Sequence, residues 1–318
     1  MPIRYLRQLG LAVLATVLLP GIASAEQILR IGYQKSSTLL TLLKARGGLE
    51  DRLRAQGIRI TWHEFPSGLP LLEALNLGNV DVSADVADTV PVFTQAAGAR
   101  LTYFARETPS PKAQAILVPS DSPLRTLADL KGKRVAVTKA AGSHYLLIQA
   151  LAKAGLTFKD ITPAYLIPAD GRAAFENHKV DAWVTWDPFV ASAQRQQNAR
   201  ILADGEGLAS YQRYYLASSD YAQAHPEVLQ QVYLALRETG EWTQANPAAA
   251  ARILGPLWGN LDSTTVLQAN ARRSYDVQPV KPENLEEQQR IADAFLHEGL
   301  LPKAVDARDV SVFVPSTP

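Results

Sequence analysis

A chain of 318 residues, 47% apolar and 20% charged, has ordinary globular composition and enough length for large buried cores, which excludes a disordered or fibrous protein. Its 32 basic and 31 acidic residues leave a net charge of +1, too little for a field that attracts a polyanion, so no nucleic-acid partner is expected. Cysteine is absent and Met1 is the sole methionine, which removes disulfides, thiolate metal sites and cysteine nucleophiles.

Residues 1–25 are expected to be an export leader. Arg4 and Arg7 give a positive start, Leu9 to Leu19 is an apolar run, and Ala23-Ser24-Ala25 is a small-residue cleavage site. The run falls short of the ~20 residues that a spanning helix needs, and Glu26 follows where a lipoprotein would place cysteine. The expected location is therefore the periplasm. Cleavage also removes Met1 and leaves no sulfur atom in the chain, an economy suited to sulfur scarcity.

From Ile28 the pattern alternates apolar strands with amphipathic helices, the signature of an α/β protein. A strand over Ile28–Tyr33 precedes Ser36, Ser37 and Thr38, N-cap candidates for a helix through Lys44. Strands are predicted at Ile58–Phe65, Val80–Ala84 and Leu101–Glu107, with a helix over Leu69–Leu77 and another from Asp88 or Thr89 to Ala97. Thr108-Pro-Ser-Pro-Lys112 suits a crossover. The plan then repeats: a strand at Arg134–Thr138, a helix opened by Gly142-Ser143, a strand at Ile161–Ile167, a short helix over Arg172–Asn177 and a strand at Val180–Thr185. Leu75-Asn-Leu-Gly-Asn-Val-Asp81 echoes Phe175-Glu-Asn-His-Lys-Val-Asp181, which points to two similar lobes. A second crossing is placed near Tyr211–Ser218, and the remainder reads as helices over Pro226–Asn246, Pro247–Leu257, Ser263–Arg272 and Pro282–Glu298. Two crossings imply a hinge and a cleft that closes.

Ligands of open α/β sheets sit where strands end and helices begin. Those points carry Gln34-Lys-Ser-Ser-Thr38, Asp88-Thr89 and Gly142-Ser143-His144. Helix N-termini offer unpaired N–H donors and a partial positive charge, which together capture an anion without a full cation. Simple capping explains any one of these segments; binding explains all three facing one cleft. Trp186 offers an apolar wall, and Asp187 either caps a helix starting at Pro188 or touches ligand. His144 is either an anion donor or a structural residue, and Lys35 and Arg106 are expected to be solvated. The five histidines show no metal-ligand spacing, and no nucleophile elbow or Walker loop occurs. No metal, cofactor or catalytic residue is expected.

The stretches Ile31-Gly-Tyr-Gln-Lys35, Val92-Phe-Thr-Gln-Ala-Ala-Gly98, Lys112-Ala-Gln-Ala-Ile-Leu-Val-Pro119, Asp129-Leu-Lys-Gly-Lys133, His144-Tyr-Leu-Leu147, Pro168-Ala-Asp-Gly-Arg-Ala-Ala-Phe175 and Asp181-Ala-Trp-Val-Thr-Trp-Asp-Pro-Phe189 resemble the periplasmic aliphatic-sulfonate-binding proteins of ABC transporters. Those belong to a wider group that binds nitrate, taurine and thiamine precursors. One departure is Ala87-Asp88-Thr89-Val90-Pro91, where the family commonly shows Gly-Asp/Glu-x-Pro-Pro. The resemblance implies a two-lobe type II periplasmic binding protein fold, with residues 26–108 and 215–318 in lobe 1 and 109–214 in lobe 2. It places Gln34, Ser143, His144 and Trp186 in the cleft, with Asp88, Thr89 and Asp187 beside them. The expected function is to bind aliphatic sulfonates for sulfur acquisition and deliver them, as a monomer, to a membrane permease. Carriage of taurine, nitrate or a thiamine precursor is the alternative; an enzyme on the same fold is the reading from another class.

Overall fold

The computed structural model describes residues 27–316, so the leader expected over 1–25 lies outside the described residues. In chain order, strand β1 (Gln27–Gln34) leads to α1 (Thr38–Arg46), α2 (Gly48–Arg54), β2 (Ile58–Phe65), α3 (Gly68–Asn76), β3 (Val82–Ser83), β4 (Val86–Ala87), α4 (Thr89–Ala96) and β5 (Leu101–Glu107). Next come β6 (Gln114–Val118), β7 (Arg134–Val137), α5 (Gly142–Lys153), β8 (Thr162–Tyr165), α6 (Pro168–Glu176), β9 (Ala182–Trp186), α7 (Phe189–Gln196) and β10 (Arg200–Asp204). The last part holds β11 (Arg213–Ser218), α8 (Ser219–Ala224), α9 (Pro226–Ala245), α10 (Pro247–Leu257), α11 (Ser263–Asn270), β12 (Val277–Gln278), α12 (Glu286–His297) and β13 (Ser311–Val312). No helix among the described residues is long and apolar enough to cross a membrane.

Two sheets result. The larger runs β12-β5-β11-β3-β1-β2, with β13 beside β5 and β4 beside β11; the smaller runs β10-β6-β9-β7-β8. The repeat seen in the sequence is built into both. Strand β1 is flanked by β2 and β3, and β7 by β8 and β9, all parallel, as strands joined through helices allow. Asp81 and Asp181 are equivalent: each side chain accepts a 2.7 Å bond from the backbone N–H of an arginine at its neighbouring strand, Arg30 and Arg134 respectively. The backbone N–H of each aspartate donates in return to the carbonyl of that arginine at 2.8 Å. A carboxylate thus fixes the pairing of β1 with β3 in one lobe and of β7 with β9 in the other.

The antiparallel strands are less visible in the sequence. Residues 114–118 carry no strand expectation of their own, yet β6 is buried along its whole length between β9 and β10. Its apolar run lacks the alternation that marks a half-exposed strand. Two segments, 108–113 and 205–212, carry the chain between the sheets, and the Gly205 N–H donates to the Pro111 carbonyl at 3.1 Å where they run side by side.

Leu29, Ile31, Leu39, Leu71 and Tyr215 form the core of the larger lobe; Ile116, Val135, Leu146 and Leu147 form that of the smaller, with Trp183 and Phe175 packed on its opposite face. Each such side chain contributes roughly 1.5–3 kcal/mol by leaving water. Leu42 of α1 packs into a separate cluster with Leu254 of α10 and Val266 of α11, tying that helical pair to the larger lobe. On the other side α12 bridges the lobes, its Phe295 meeting Phe93 of α4 edge-on at 4.9 Å and the His144 ring of α5 at 4.9 Å.

Candidate functional site

The C-terminal ends of β1 and β9 bring the lobes together. Trp186 closes β9 opposite Gln114, and its indole N–H donates to the Ser36 hydroxyl at 3.2 Å. Ser36 sits in a tight turn: the Ser37 N–H donates to the Gln34 carbonyl at 2.8 Å, and the Gln34 N–H donates to the Ser37 hydroxyl at 3.3 Å. That bond engages the hydroxyl at the N-cap of α1, which forms no side-chain cap. Helix α5 begins after Ala141, which has no side-chain acceptor to offer. No side chain caps the first turn of either helix, and in α5 only the His144 N–H is drawn back, to the Ala141 carbonyl at 2.9 Å, so first-turn N–H groups of both remain donors for a ligand.

Backbone contact completes the junction. A Cβ at Gly142 would lie 2.6 Å from a ring carbon of Tyr211 and 3.0 Å from the Ala87 side chain, so only glycine lets α5 approach the larger lobe this closely. Ala140 (φ 60°), Tyr211 (φ 53°) and Tyr275 (φ 52°) all adopt the left-handed region. Such strain is sustained where surrounding contacts over-determine it, and it gathers at binding sites. The Tyr275 hydroxyl donates to Asn270 Oδ1 at 2.7 Å and shares a 3.2 Å bond with Thr38.

Beneath this junction lies a neutral set of two arginines and two carboxylates. Arg213 donates through Nε to Asp85 Oδ2 at 2.6 Å and through Nη1 to the Tyr211 hydroxyl at 2.6 Å. Arg273 reaches both Glu107 oxygens at 2.7 and 2.6 Å, Asp85 Oδ2 at 3.0 Å and Thr38 Oγ1 at 3.4 Å. Burial would lower the Arg273 pKa, but Glu107 and Asp85 raise it well above the ordinary value, so it stays charged. The sequence offers one signal for this set: Arg213 and Glu107 occupy strands that are mostly apolar and buried. Nothing local pairs them.

Several polar atoms here are buried without a protein partner: Thr89 Oγ1, Ser143 Oγ, Asn270 Nδ2, Arg273 Nε, both amide atoms of Gln114 and, as an acceptor, Asp85 Oδ1. Native proteins keep few such atoms, so a cluster of them calls for an explanation. Thr89 follows Ala87 and Asp88, Ser143 follows Gly142, Gln114 pairs with Trp186 across β6 and β9, and Asn270 is linked to Thr38 through the Tyr275 hydroxyl. Hydroxyls, amides and a guanidinium N–H make a donor-rich set. It suits a group that only accepts hydrogen bonds.

The residues singled out from sequence divide. Ser36, Thr38, Gly142 and Trp186 meet at the junction, and Gln34 lies beside it with its amide donating to the Asp85 carbonyl at 3.0 Å. Ser37 is turned to its own loop. Asp88 is held by N–H donors of Thr89 at 3.1 Å and Gln212 at 2.9 Å, and burial pushes its carboxyl up to about 7 against the pull of those bonds. Asp187 caps α7 by accepting from the Ala191 N–H at 3.0 Å and pairs with Arg272; burial lifts its pKa to about 6 despite that arginine. His144 stands apart, its ring packed among Phe158, Tyr165 and Phe295. Burial drives its pKa down to about 3, helped by the Lys139 charge, so it is neutral and supplies no positive charge to an anion. Lys35 is exposed as expected, whereas Arg106 is half-buried and donates to Gln278 Oε1 at 2.7 Å. The cations of the junction are Arg213 and Arg273, which sequence reasoning passes over. Among the described residues no group of three or more His, Asp or Glu is arranged to hold a metal ion.

Two α/β lobes, each built on the same parallel unit, joined by two crossing segments and meeting over a buried polar junction, define the periplasmic binding protein fold. Solved structures agree. The alkanesulfonate-binding protein SsuA from Xanthomonas axonopodis pv. citri bound to MOPS superimposes with a TM-score of 0.84 at 43% identity, covering 91% of this chain and 100% of that one. The periplasmic aliphatic sulphonate binding protein SsuA from Escherichia coli gives 0.80 at 41% identity over 89% and 97%. In sequence, a protein of Escherichia coli (strain K12) described as a putative aliphatic sulfonates-binding protein is 41% identical over 285 residues, 90% of this chain and 88% of its own length. Residues 53–250 match the NMT1/THI5 like family model. The chain belongs to the NMT1/THI5-like family.

Proposed function

We propose that this protein is the solute-binding component of an ABC importer that captures aliphatic sulfonates between its lobes and delivers them to a membrane permease. One observation carries the reading: buried, unpaired hydroxyl, amide and N–H donors lie on the elements that the Trp186–Ser36 contact brings together. A sulfonate is a monoanion with no proton near neutral pH, so it accepts hydrogen bonds and donates none. Such a donor set, with two uncapped helix N-termini, matches it better than it matches a partly protonated phosphate. The relatives' descriptions name the same ligand class. On this reading the chain is exported and works as a monomeric carrier with no catalytic step. Its lobes divide at the two crossing segments, and Trp186 walls the alkyl chain while Ser143, Thr89 and the first turns of α1 and α5 face the head group.

Charge-assisted hydrogen bonds contribute about 1.5–3 kcal/mol each and helix dipoles ~0.3–1 kcal/mol. Several together offset ordering and desolvation and leave about −8 kcal/mol, a micromolar affinity. A thermal-shift panel of linear alkanesulfonates, MOPS, taurine, nitrate and phosphate tests the assignment, because only true ligands raise the melting temperature. Stabilisation by the alkanesulfonates supports it. A rise with nitrate or phosphate alone would replace it.

A further inference from the structure

At the end of α11 two consecutive arginines reach in opposite directions. Arg273 is buried in the larger lobe, bound to Glu107, Asp85 and Thr38. Arg272 crosses to the smaller lobe. Its Nη1 donates to both oxygens of Asp187 at 3.0 Å, and its Nη2 donates to Gln194 Oε1 of α7. Gln268, one helical turn earlier, donates to the same Gln194 oxygen at 2.9 Å. The pair is shielded from water, with the Arg272 side chain 16% exposed and that of Asp187 2%.

The two sides of this contact belong to different bodies. Helix α11 packs with α10 against Leu42 of α1, whereas Val190 and Ala193 of α7 pack on the smaller sheet with Trp183. Asp187 directly follows Trp186, the residue that reaches Ser36 across the cleft. Both partners adjoin the crossing segment, Asp187 through its N–H to the Ala113 carbonyl and Arg272 through Ser274 to Thr108 and Ser110; a hinge motion that parts α7 from α11 takes the Arg272 donors away from Asp187, while the Ala191 N–H, in the same lobe, stays with it. Removing one partner of a buried ion pair is strongly unfavourable, so the pair favours whichever state keeps it intact.

We propose that Arg272, acting through Asp187, is the latch that holds the lobes closed on the ligand and positions Trp186 without touching the ligand itself. The inference rests on the carrier reading for its ligand, but the closure it describes is measurable without one. Wild type, Arg272→Met, Arg272→Lys, Asp187→Asn and the double variant Arg272→Met/Asp187→Asn are compared by small-angle scattering without ligand. Binding of pentane-1-sulfonate is followed by calorimetry and by stopped-flow tryptophan fluorescence.

Without ligand, Arg272→Met should show a larger radius of gyration than wild type at equal folded fraction. With pentane-1-sulfonate its Kd should rise at least tenfold, mostly through faster dissociation; Arg272→Lys should recover part of the loss, and the double variant should be no worse than the weaker single one. Asp187→Asn supplies the test should Arg272→Met fold poorly. A folded Arg272→Met or Asp187→Asn with unchanged radius and unchanged dissociation rate overturns the latch. Silence of the wild type toward pentane-1-sulfonate overturns the carrier's ligand assignment instead, and the scattering comparison still decides the latch.

Discussion

The indole N–H of Trp186 spans 3.2 Å to the hydroxyl of Ser36, joining residues 150 positions apart that hang from different sheets. The bond sits where the C-terminal ends of strands β1 and β9 converge, and Gln114, whose amide is unpaired, faces Trp186 across the sheet. Trp186→Phe keeps the aromatic wall and removes this donor, leaving the buried Ser36 hydroxyl without it. The expected cost is about 1–2 kcal/mol of ligand affinity, roughly a five- to thirtyfold rise in Kd by calorimetry. An unchanged Kd would place the contact outside the binding cycle.

Gly142 makes a sharper test of closure. Gly142→Ala puts a methyl 2.6 Å from the Tyr211 ring when the lobes meet, a clash that costs roughly 1–3 kcal/mol to relieve. Opening relieves the part of this conflict made by Ala87 of the larger lobe, 3.0 Å from the added methyl. Alkanesulfonate affinity should therefore fall about tenfold, and the melting temperature should drop further with ligand than without it. A matched drop in both would mean that the strain is felt in every state.

Asp88 gives stability a definite pH dependence. Its folded pKa of about 7 stands above its ordinary 3.8 because of burial, so between those values the folded chain holds a proton that the unfolded chain has released. Stability from this group is full below about pH 4 and is lost as pH climbs through about 7, on the order of 4 kcal/mol in the limit. Asp88→Asn, which keeps a carbonyl acceptor for Thr89 or Gln212, should flatten that decline. Melting temperatures at half-unit steps from about pH 4 to 8 show whether the variant-minus-wild-type difference grows across the window.

His144 acts in the opposite sense. Burial holds its folded pKa near 3, below the ordinary 6.5, so the unfolded chain takes up a proton first and stability falls as pH drops from 6.5 toward 3, by about 3 kcal/mol at pH 4. Its edge-on neighbours Phe158, Tyr165 and Phe295 suit a phenyl ring equally. His144→Phe should gain on wild type progressively below pH 6.5, after a constant cost for the Ala140 N–H that now donates to Nδ1 at 3.3 Å. A difference that stays flat with pH would contradict the neutral assignment.

What the sequence discloses is local. The parallel β-α-β units, the echo of Asp81 and Asp181, and the hydroxyl-rich helix starts all follow from hydrophobic period and capping chemistry within about ten residues. The hidden parts depend on distant pairing. Strand β6 enters the middle of its sheet antiparallel to both neighbours, which no nearby residue announces. Asp85 and Arg213 are 128 positions apart, Glu107 and Arg273 are 166 apart, and each alone resembles a solvated surface charge. His144 shows the reverse error: beside two promising donors it reads as a third, yet the turn of α5 carries its ring away into an aromatic cluster.

Isothermal titration of the purified protein with a series of linear alkanesulfonates, run beside nitrate and phosphate at neutral pH, bears most directly on the donor-lined junction. Expected is one site per chain with a micromolar Kd for the sulfonates, weakened by Trp186→Phe and Gly142→Ala. Heat-silent titrations across the whole sulfonate series would contradict it, as would sulfonate binding indifferent to both substitutions.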